Sequence, residues 1–153
     1  MKLAEALILR ADHQKRLTQL RSRISGNARI QEGEVPAEDP NALLSDFVQL
    51  SGELRQLIQQ INRTNAATQV EAGKTISDAI AERDELQVLH AMYRDLAAAA
   101  LIRQDRTTKG EVKFLSAVNV AQIQNQADDL AKRRRELDAT IQALNWNIEL
   151  MEN

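Results

Sequence analysis

The sequence contains no cysteine, and only 3% of its residues are aromatic. The lack of cysteine excludes disulfide scaffolds, thiol catalysis and thiolate-bound metals, and it is compatible with a reducing compartment. With so few aromatic residues, a core has to be built from Leu, Ile, Val and Ala, a composition that is typical of helix–helix packing. We therefore expect a mainly α-helical, cytoplasmic protein.

Long apolar runs and an excess of one charge are also missing. No run of about eighteen apolar residues occurs, so no segment is predicted to span a membrane. The formal net charge is -2, which favours neither nucleic acid nor an acidic membrane surface as a partner. The basic run AKRRRELD (131–138) has acidic residues at helical spacing around it, as expected of a solvated helix face. We predict no nucleic-acid partner and no membrane partner.

Apolar residues recur at spacings of three and four residues in four segments, as in amphipathic helices. The second segment follows Asp39 and Pro40, a typical helix start. The fourth has a regular seven-residue repeat, typical of a coiled-coil seam. The sequence predicts one domain, residues 1–153, folded as an elongated antiparallel bundle of about four long helices. The predicted helices are residues 3–24, 41–63, 76–102 and 120–151.

The connections between these helices are longer than the usual bundle loops of about two to eight residues. They comprise residues 26–40, 65–74 and 103–119. The first and the third include short β-type runs, ARIQEGEV (28–35) and EVKFL (111–115). Pairing of these runs would form a small β-hairpin element at one end of the bundle, and irregular loops are the alternative.

The tripeptide at Gly73, Lys74 and Thr75 matches the end of a phosphate-binding P-loop. However, Thr68 occupies the position of the first glycine of that motif, and the preceding segment is helical where the motif requires a strand. We predict instead a turn over residues 71–74 and a helix that is capped by Thr75 or Ser77. The alternative is an anion-binding site at the N-terminus of this helix.

Four polar residues interrupt the apolar stripes, and an unpaired charge inside a bundle would cost several kcal/mol. We predict that they form a polar layer that fixes helix register or oligomer order. A buried active site that combines a glutamate with an arginine is the alternative. Because neither histidine follows a carboxylate at the spacing used in di-iron bundles, no metal and no cofactor are predicted. The candidate polar layer consists of Arg10, His13, Glu82 and Arg134.

Polar residues also cluster after the second and third helices. These clusters lie at opposite ends of one antiparallel helix, so only long loops or partner subunits can bring them together. The simpler interpretation is that Asn and Thr end the second helix by local hydrogen bonds. No nucleophile motif occurs, so an enzyme is not favoured. The candidate binding or assembly residues are Asn62, Arg63, Thr64, Asn65, Arg103, Asp105 and Arg106.

Several blocks of the sequence resemble a family of small bacterial proteins that are labelled septicolysin-like. The blocks are INRTN (61–65), AERDEL (81–86), RQDR (103–106) and QADDLAKRRRELDATIQALNW (126–146). The resemblance implies a helical, oligomeric protein whose function is uncharacterised. The family label also implies a pore-forming cytolysin, but the single Trp and the lack of cysteine disfavour that alternative.

Self-association is expected because Trp146 lies off the main stripe of the fourth helix, on apolar surface that a monomer would leave uncovered. We therefore expect a self-associating helical scaffold or binding module that forms a dimer or a higher oligomer such as a hexamer. The alternative function is a small-molecule or nucleotide-handling enzyme whose site forms between subunits.

Overall fold

The structure, a computed structural model, describes residues 1–102 and 113–152. These residues form four long helices and a two-stranded antiparallel sheet, β1–β2, that follows α2 in the chain. The predicted mainly α-helical fold class, with four long helices and a small β element, is confirmed. The elements in chain order are α1 (Leu3–Gly26), α2 (Pro40–Ala67), β1 (Gln69–Glu71), β2 (Lys74–Thr75), α3 (Ile76–Ala100) and α4 (Val120–Asn147).

The chain divides into two compact units. The first contains Met1–Thr75 together with the chain from Gln142 onward, and the second contains Ile76–Ile141. The boundary passes between β2 and α3 and again near the C-terminal end of α4. The prediction of a single domain over residues 1–153 stays a prediction.

In the first unit, α1 and α2 pack side by side in antiparallel orientation. The predicted start of α2 is confirmed, because the Asp39 side chain accepts a hydrogen bond from the backbone N–H of Asn41 and Pro40 occupies the first turn. The apolar stripes of both helices meet in one cluster, so each amphipathic helix buries its apolar face against the other. The cluster consists of Leu20, Leu43 and Leu50 with Leu17, Ile24 and Phe47 packed against it.

The connection between α1 and α2 is held by polar contacts. Arg23 donates hydrogen bonds from its guanidinium to both carboxylate oxygens of Glu38, and the backbone N–H of Glu38 donates to Oδ1 of Asn27 at 3.1 Å. The pKa of Glu38 is lowered, mainly by the hydrogen bond from Arg23. The predicted strand over residues 28–35 is not found, and this connection is irregular.

The β element lies at a different place from the one predicted. β1 and β2 flank a turn at Ala72 and Gly73, and Gly73 has a φ of 78°, a left-handed conformation that favours glycine. No strand occurs over residues 113–115, and residues 111–112 lie outside the described part of the chain. The hairpin therefore forms within the connection of residues 65–74, which was predicted as a plain turn.

In the second unit, α3 and α4 run antiparallel. Arg83 near the start of α3 donates a hydrogen bond to Asp138 near the end of α4 at 3.1 Å. The residues of the repeat predicted for α4 lie on its less exposed face: Ala127 and Ile141 are buried, and Leu130 and Leu137 are half-buried. Asp138 on α4 thus forms an ion pair with α3.

Candidate functional site

Both ends of the described chain meet beside the C-terminal part of α2. The backbone N–H of Leu3 donates to the carbonyl of Ile148 at 2.9 Å, and that of Leu150 donates to the carbonyl of Met1 at 2.8 Å. These bonds flank an antiparallel β-bridge between Lys2 and Glu149. We call this arrangement of Met1–Leu3 with residues 148–151 the terminal clasp.

The clasp explains why α4 ends earlier than predicted. The apolar repeat continues to Ile148 and Met151, and it predicted a helix to residue 151, but α4 ends at Asn147. The N–H of Ile148 still donates to the carbonyl of Leu144, but the carbonyl of Ile148 accepts from Leu3 and the N–H of Leu150 donates to Met1, so the helical ladder stops there.

Charge reinforces the clasp. The Glu149 carboxylate lies 2.6 Å from Nζ of Lys2 and 3.1 Å from the amino group of Met1. These contacts lower the pKa of Glu149, with the hydrogen bond to Lys2 as the largest cause and that to the amino group as the next. The carboxylate is therefore held in its charged form between two cations.

Thr64 joins the clasp to α2. Its side chain is fully buried. The hydroxyl donates to the backbone carbonyl of Gln60 at 2.8 Å and accepts from the backbone N–H of Met151 at 2.9 Å. Gln60 adds a second link, because its side-chain amide donates to the carbonyl of Glu152 at 3.2 Å. Within the predicted polar block of residues 62–65, Thr64 thus contacts Met151, which is distant in the sequence.

The neighbours of Thr64 have different surroundings. Asn62 and Arg63 are exposed and Asn65 is half-buried. The simpler interpretation, that this block ends the helix, is wrong, because α2 continues to Ala67 and is followed by Thr68 as its C-cap. The other predicted candidates, Arg103, Asp105 and Arg106, lie outside the described residues.

Arg63 lines an open polar groove of about 470 Å³. The groove lies at the C-terminal half of α2, next to the clasp, and its lining is rich in glutamine. It offers amide and guanidinium hydrogen-bond donors and one carboxylate, that of Glu152. The lining residues are Gln56, Gln59, Gln60, Arg63 and Glu152.

The predicted polar layer is divided between the two units. In the first unit, Nε2 of His13 lies 3.9 Å from a carboxylate oxygen of Glu53. Nδ1 of His13 and Nε of Arg10 are buried and have no hydrogen-bond partner. In the second unit, Nε of Arg134 is likewise buried without a partner, and Glu82 is half-buried. The layer as a whole stays a prediction.

The Gly73–Thr75 segment has its polar groups engaged within the hairpin. The backbone N–H of Gly73 donates to the side-chain oxygen of Gln69 at 3.0 Å, and Nζ of Lys74 lies 3.5 Å from the Glu71 carboxylate. A P-loop needs such amides and its lysine to face the phosphates. Thr75 directly precedes α3, the position predicted for its cap.

Among residues 1–102 and 113–152, no three histidine or carboxylate side chains are placed so that they could hold a metal ion. None of the helices in this part of the chain has the length and apolar character needed to cross a membrane.

Comparison with known proteins identifies the family. Residues 10–150 match the model of a family of unknown function, DUF6847. The chain belongs to this family. A solved relative, described as a functionally unknown conserved protein from Corynebacterium diphtheriae, is 39% identical over 99% of both chains, with a TM-score of 0.91. A search of curated proteins found no match to this DUF6847 chain.

The septicolysin-like assignment is wrong. The family model covers nearly the whole chain and names DUF6847, and neither it nor the solved relative points to a septicolysin-like family. Short blocks such as INRTN are too brief to distinguish one helical family from another. The pore-forming alternative depended on that label and is not supported.

Proposed function

We propose that this DUF6847 chain is a helical binding module that associates with itself and acts as an assembly in the cytoplasm. The observation that supports the proposal is the exposure of large apolar side chains on each of the two units.

Apolar residues that protrude singly are common, whereas a contiguous exposed apolar patch usually marks a contact site. Trp146 is among the exposed side chains, as expected from its position off the stripe of α4. The exposed side chains include Ile8, Leu44, Val48 and Trp146 in the first unit and Val88, Met92, Phe114 and Leu115 in the second.

Light scattering coupled to size-exclusion chromatography tests the proposal. We expect a mass that is a multiple of 17.2 kDa and that decreases only on strong dilution. A mass of one chain over the whole range of protein concentrations would contradict self-association. Localisation in the cytoplasm agrees with the absence of cysteine from the sequence, and fractionation of cells with an antibody would test it.

A further inference from the structure

We propose that α3 carries a docking site for a basic amphipathic helix of a partner protein. The site is a row of side chains on the outward face of the helix, which we call the acidic stripe. Its members are three or four residues apart, so they lie in one line along the helix. The inference goes beyond the proposed self-association and does not depend on it. The acidic stripe consists of Ala81, Asp84, Glu85, Val88 and Met92, all of which are exposed.

The apolar part of the acidic stripe is not used by the fold. Val88 is 68% exposed and Met92 is 58% exposed, one turn apart in the middle of α3. The outer face of a helix is normally polar, so two large apolar side chains together on it indicate a contact with another molecule. Met92 lies roughly 12 Å along the helix from its last residue, Ala100. The core face of α3 is formed by other residues, the buried Ile76, Ala79, Leu86 and Ala97.

The charge of α3 selects the kind of partner. The helix contains five carboxylates and two arginines, and Asp84 and Glu85 lie on the acidic stripe itself. Arg83 divides its guanidinium between Asp84 and Asp138, at 3.1 Å from each, so it does not balance Asp84 alone. Within the part of the chain that the structure describes, Glu85 makes no ion pair. A cationic partner is therefore attracted to this face.

A helix is the form of partner that fits the acidic stripe. The apolar residues of the stripe follow one straight line with helical spacing, and a second helix with the same spacing can pack along it. Basic residues beside the apolar face of such a partner would meet the two carboxylates of the stripe. Asp95, one turn beyond Met92, continues the acidic edge, although Arg94 lies 3.4 Å from its carboxylate. The unbranched side chain of Met92 can adapt to the shape of the partner.

Other occupants are less suited to this face. A second copy bound across a two-fold axis would place the same carboxylates against each other, and desolvating these like charges would oppose association. An anionic lipid surface would be repelled for the same reason. The exposed pair Leu44 and Val48 on α2 is followed one turn later by Ser51 and Gly52, which carry no charge that would select a partner.

Synthetic peptides test the inference. The probe is a fluorescein-labelled peptide with leucines on one helical face and lysines on the others. Its control has the same composition in an order that spreads the leucines around the helix. We expect the amphipathic peptide to bind the wild type about tenfold more tightly than the control in fluorescence anisotropy, and to bind more weakly as salt is added.

A matched pair of variants locates the binding. Val88→Lys adds a positive charge to the acidic stripe, and Val48→Lys adds the same charge to α2 at a similar exposure, 64% compared with 68%. We expect Val88→Lys to lower the affinity for the amphipathic peptide about tenfold and Val48→Lys to leave it nearly unchanged. Glu85→Gln should weaken binding by a smaller factor and reduce its dependence on salt. Circular dichroism should show the same helix content for all of these proteins.

The outcomes separate this inference from the proposed self-association. Equal affinities for the two peptides would overturn the inference, as would affinities that Val88→Lys and Val48→Lys change equally. An assembled wild type whose mass in light scattering falls in Val88→Lys would also overturn it, because a second copy would then occupy the acidic stripe. A wild type that is monomeric throughout and binds the amphipathic peptide would overturn the self-association and support the inference.

Discussion

Thr64→Val is the most informative substitution at the terminal clasp. Valine has nearly the shape of threonine, so the change removes the hydroxyl and leaves no large cavity. The backbone N–H of Met151 then loses the acceptor that lies 2.9 Å away. The bond from the hydroxyl to the Gln60 carbonyl is lost as well, but it is a local bond within the helix and contributes little to stability.

The size of the effect follows from the burial of the two partners. Leaving a buried donor without an acceptor costs about 1–3 kcal/mol. Met151 is 44% exposed, so water can partly replace the hydroxyl, and we expect a loss of about 1–2 kcal/mol in the free energy of unfolding. For a protein of this length, such a loss lowers the Tm by roughly 3–6 °C.

Thr18→Val is the matched control. Thr18 lies on α1, and its hydroxyl donates to the carbonyl of Gln14 at 3.1 Å, which is the same local bond without a contact to the clasp. Urea denaturation gives the free energies, and hydrogen exchange reports the amide of Met151. The reasoning is refuted if the two variants agree within about 0.5 kcal/mol and the Met151 amide stays protected in Thr64→Val.

Two further predictions concern pH and backbone conformation. Glu149→Gln should speed hydrogen exchange at the clasp at neutral pH. Because the pKa of Glu149 lies below its ordinary value of 4.5, the contribution of the carboxylate is present above pH 4.5 and is lost as the pH falls through the lowered pKa; a difference from wild type that persists in strong acid would contradict this. Gly73→Ala should destabilise the protein by about 1 kcal/mol, because φ is 78° there. Gly52→Ala, in the middle of α2, should stabilise the protein by about 0.5–1 kcal/mol. An added methyl group meets no atom within 4 Å at either glycine, so the two variants differ in backbone conformation and not in steric clashes. Urea midpoints that shift in the same direction for both variants would refute the argument.

The helices were predictable because their signals are local. Asp39 and Pro40 mark the start of α2, and the stripe from Leu43 to Ile61 identifies the face that is buried. Such patterns depend only on neighbours in the sequence, so they place helices to within a few residues.

The clasp was not predictable, because its partners are far apart in the sequence. Ile148 continues the apolar repeat of α4, and only its pairing with Leu3 explains why the helix has already ended. The same reason applies to Thr64, whose partner Met151 is 87 positions away. Without that partner, a buried threonine cannot be distinguished from one that ends a helix.

The position of the β element was predicted wrongly for a different reason. The run over residues 28–35 has strand-like residues but finds no strand to pair with, whereas Gln69–Glu71 needs only a two-residue turn to meet Lys74–Thr75. Pairing across a short turn costs little conformational entropy, and Gly73 supplies the required positive φ. The predicted turn over residues 71–74 is the turn of this hairpin, but strands of 3 and 2 residues are too short to show an alternating pattern in the sequence.

The terminal clasp also has a consequence for folding kinetics. The hydrogen bond from Lys2 to the carbonyl of Asn147 joins residues 145 positions apart, whereas α1 and α2 are neighbours in the chain. Contacts between distant residues form late, because the entropy of closing a long loop has to be offset first. We therefore expect the clasp to be absent from the folding transition state, so that substitutions in it accelerate unfolding and leave the folding rate nearly unchanged.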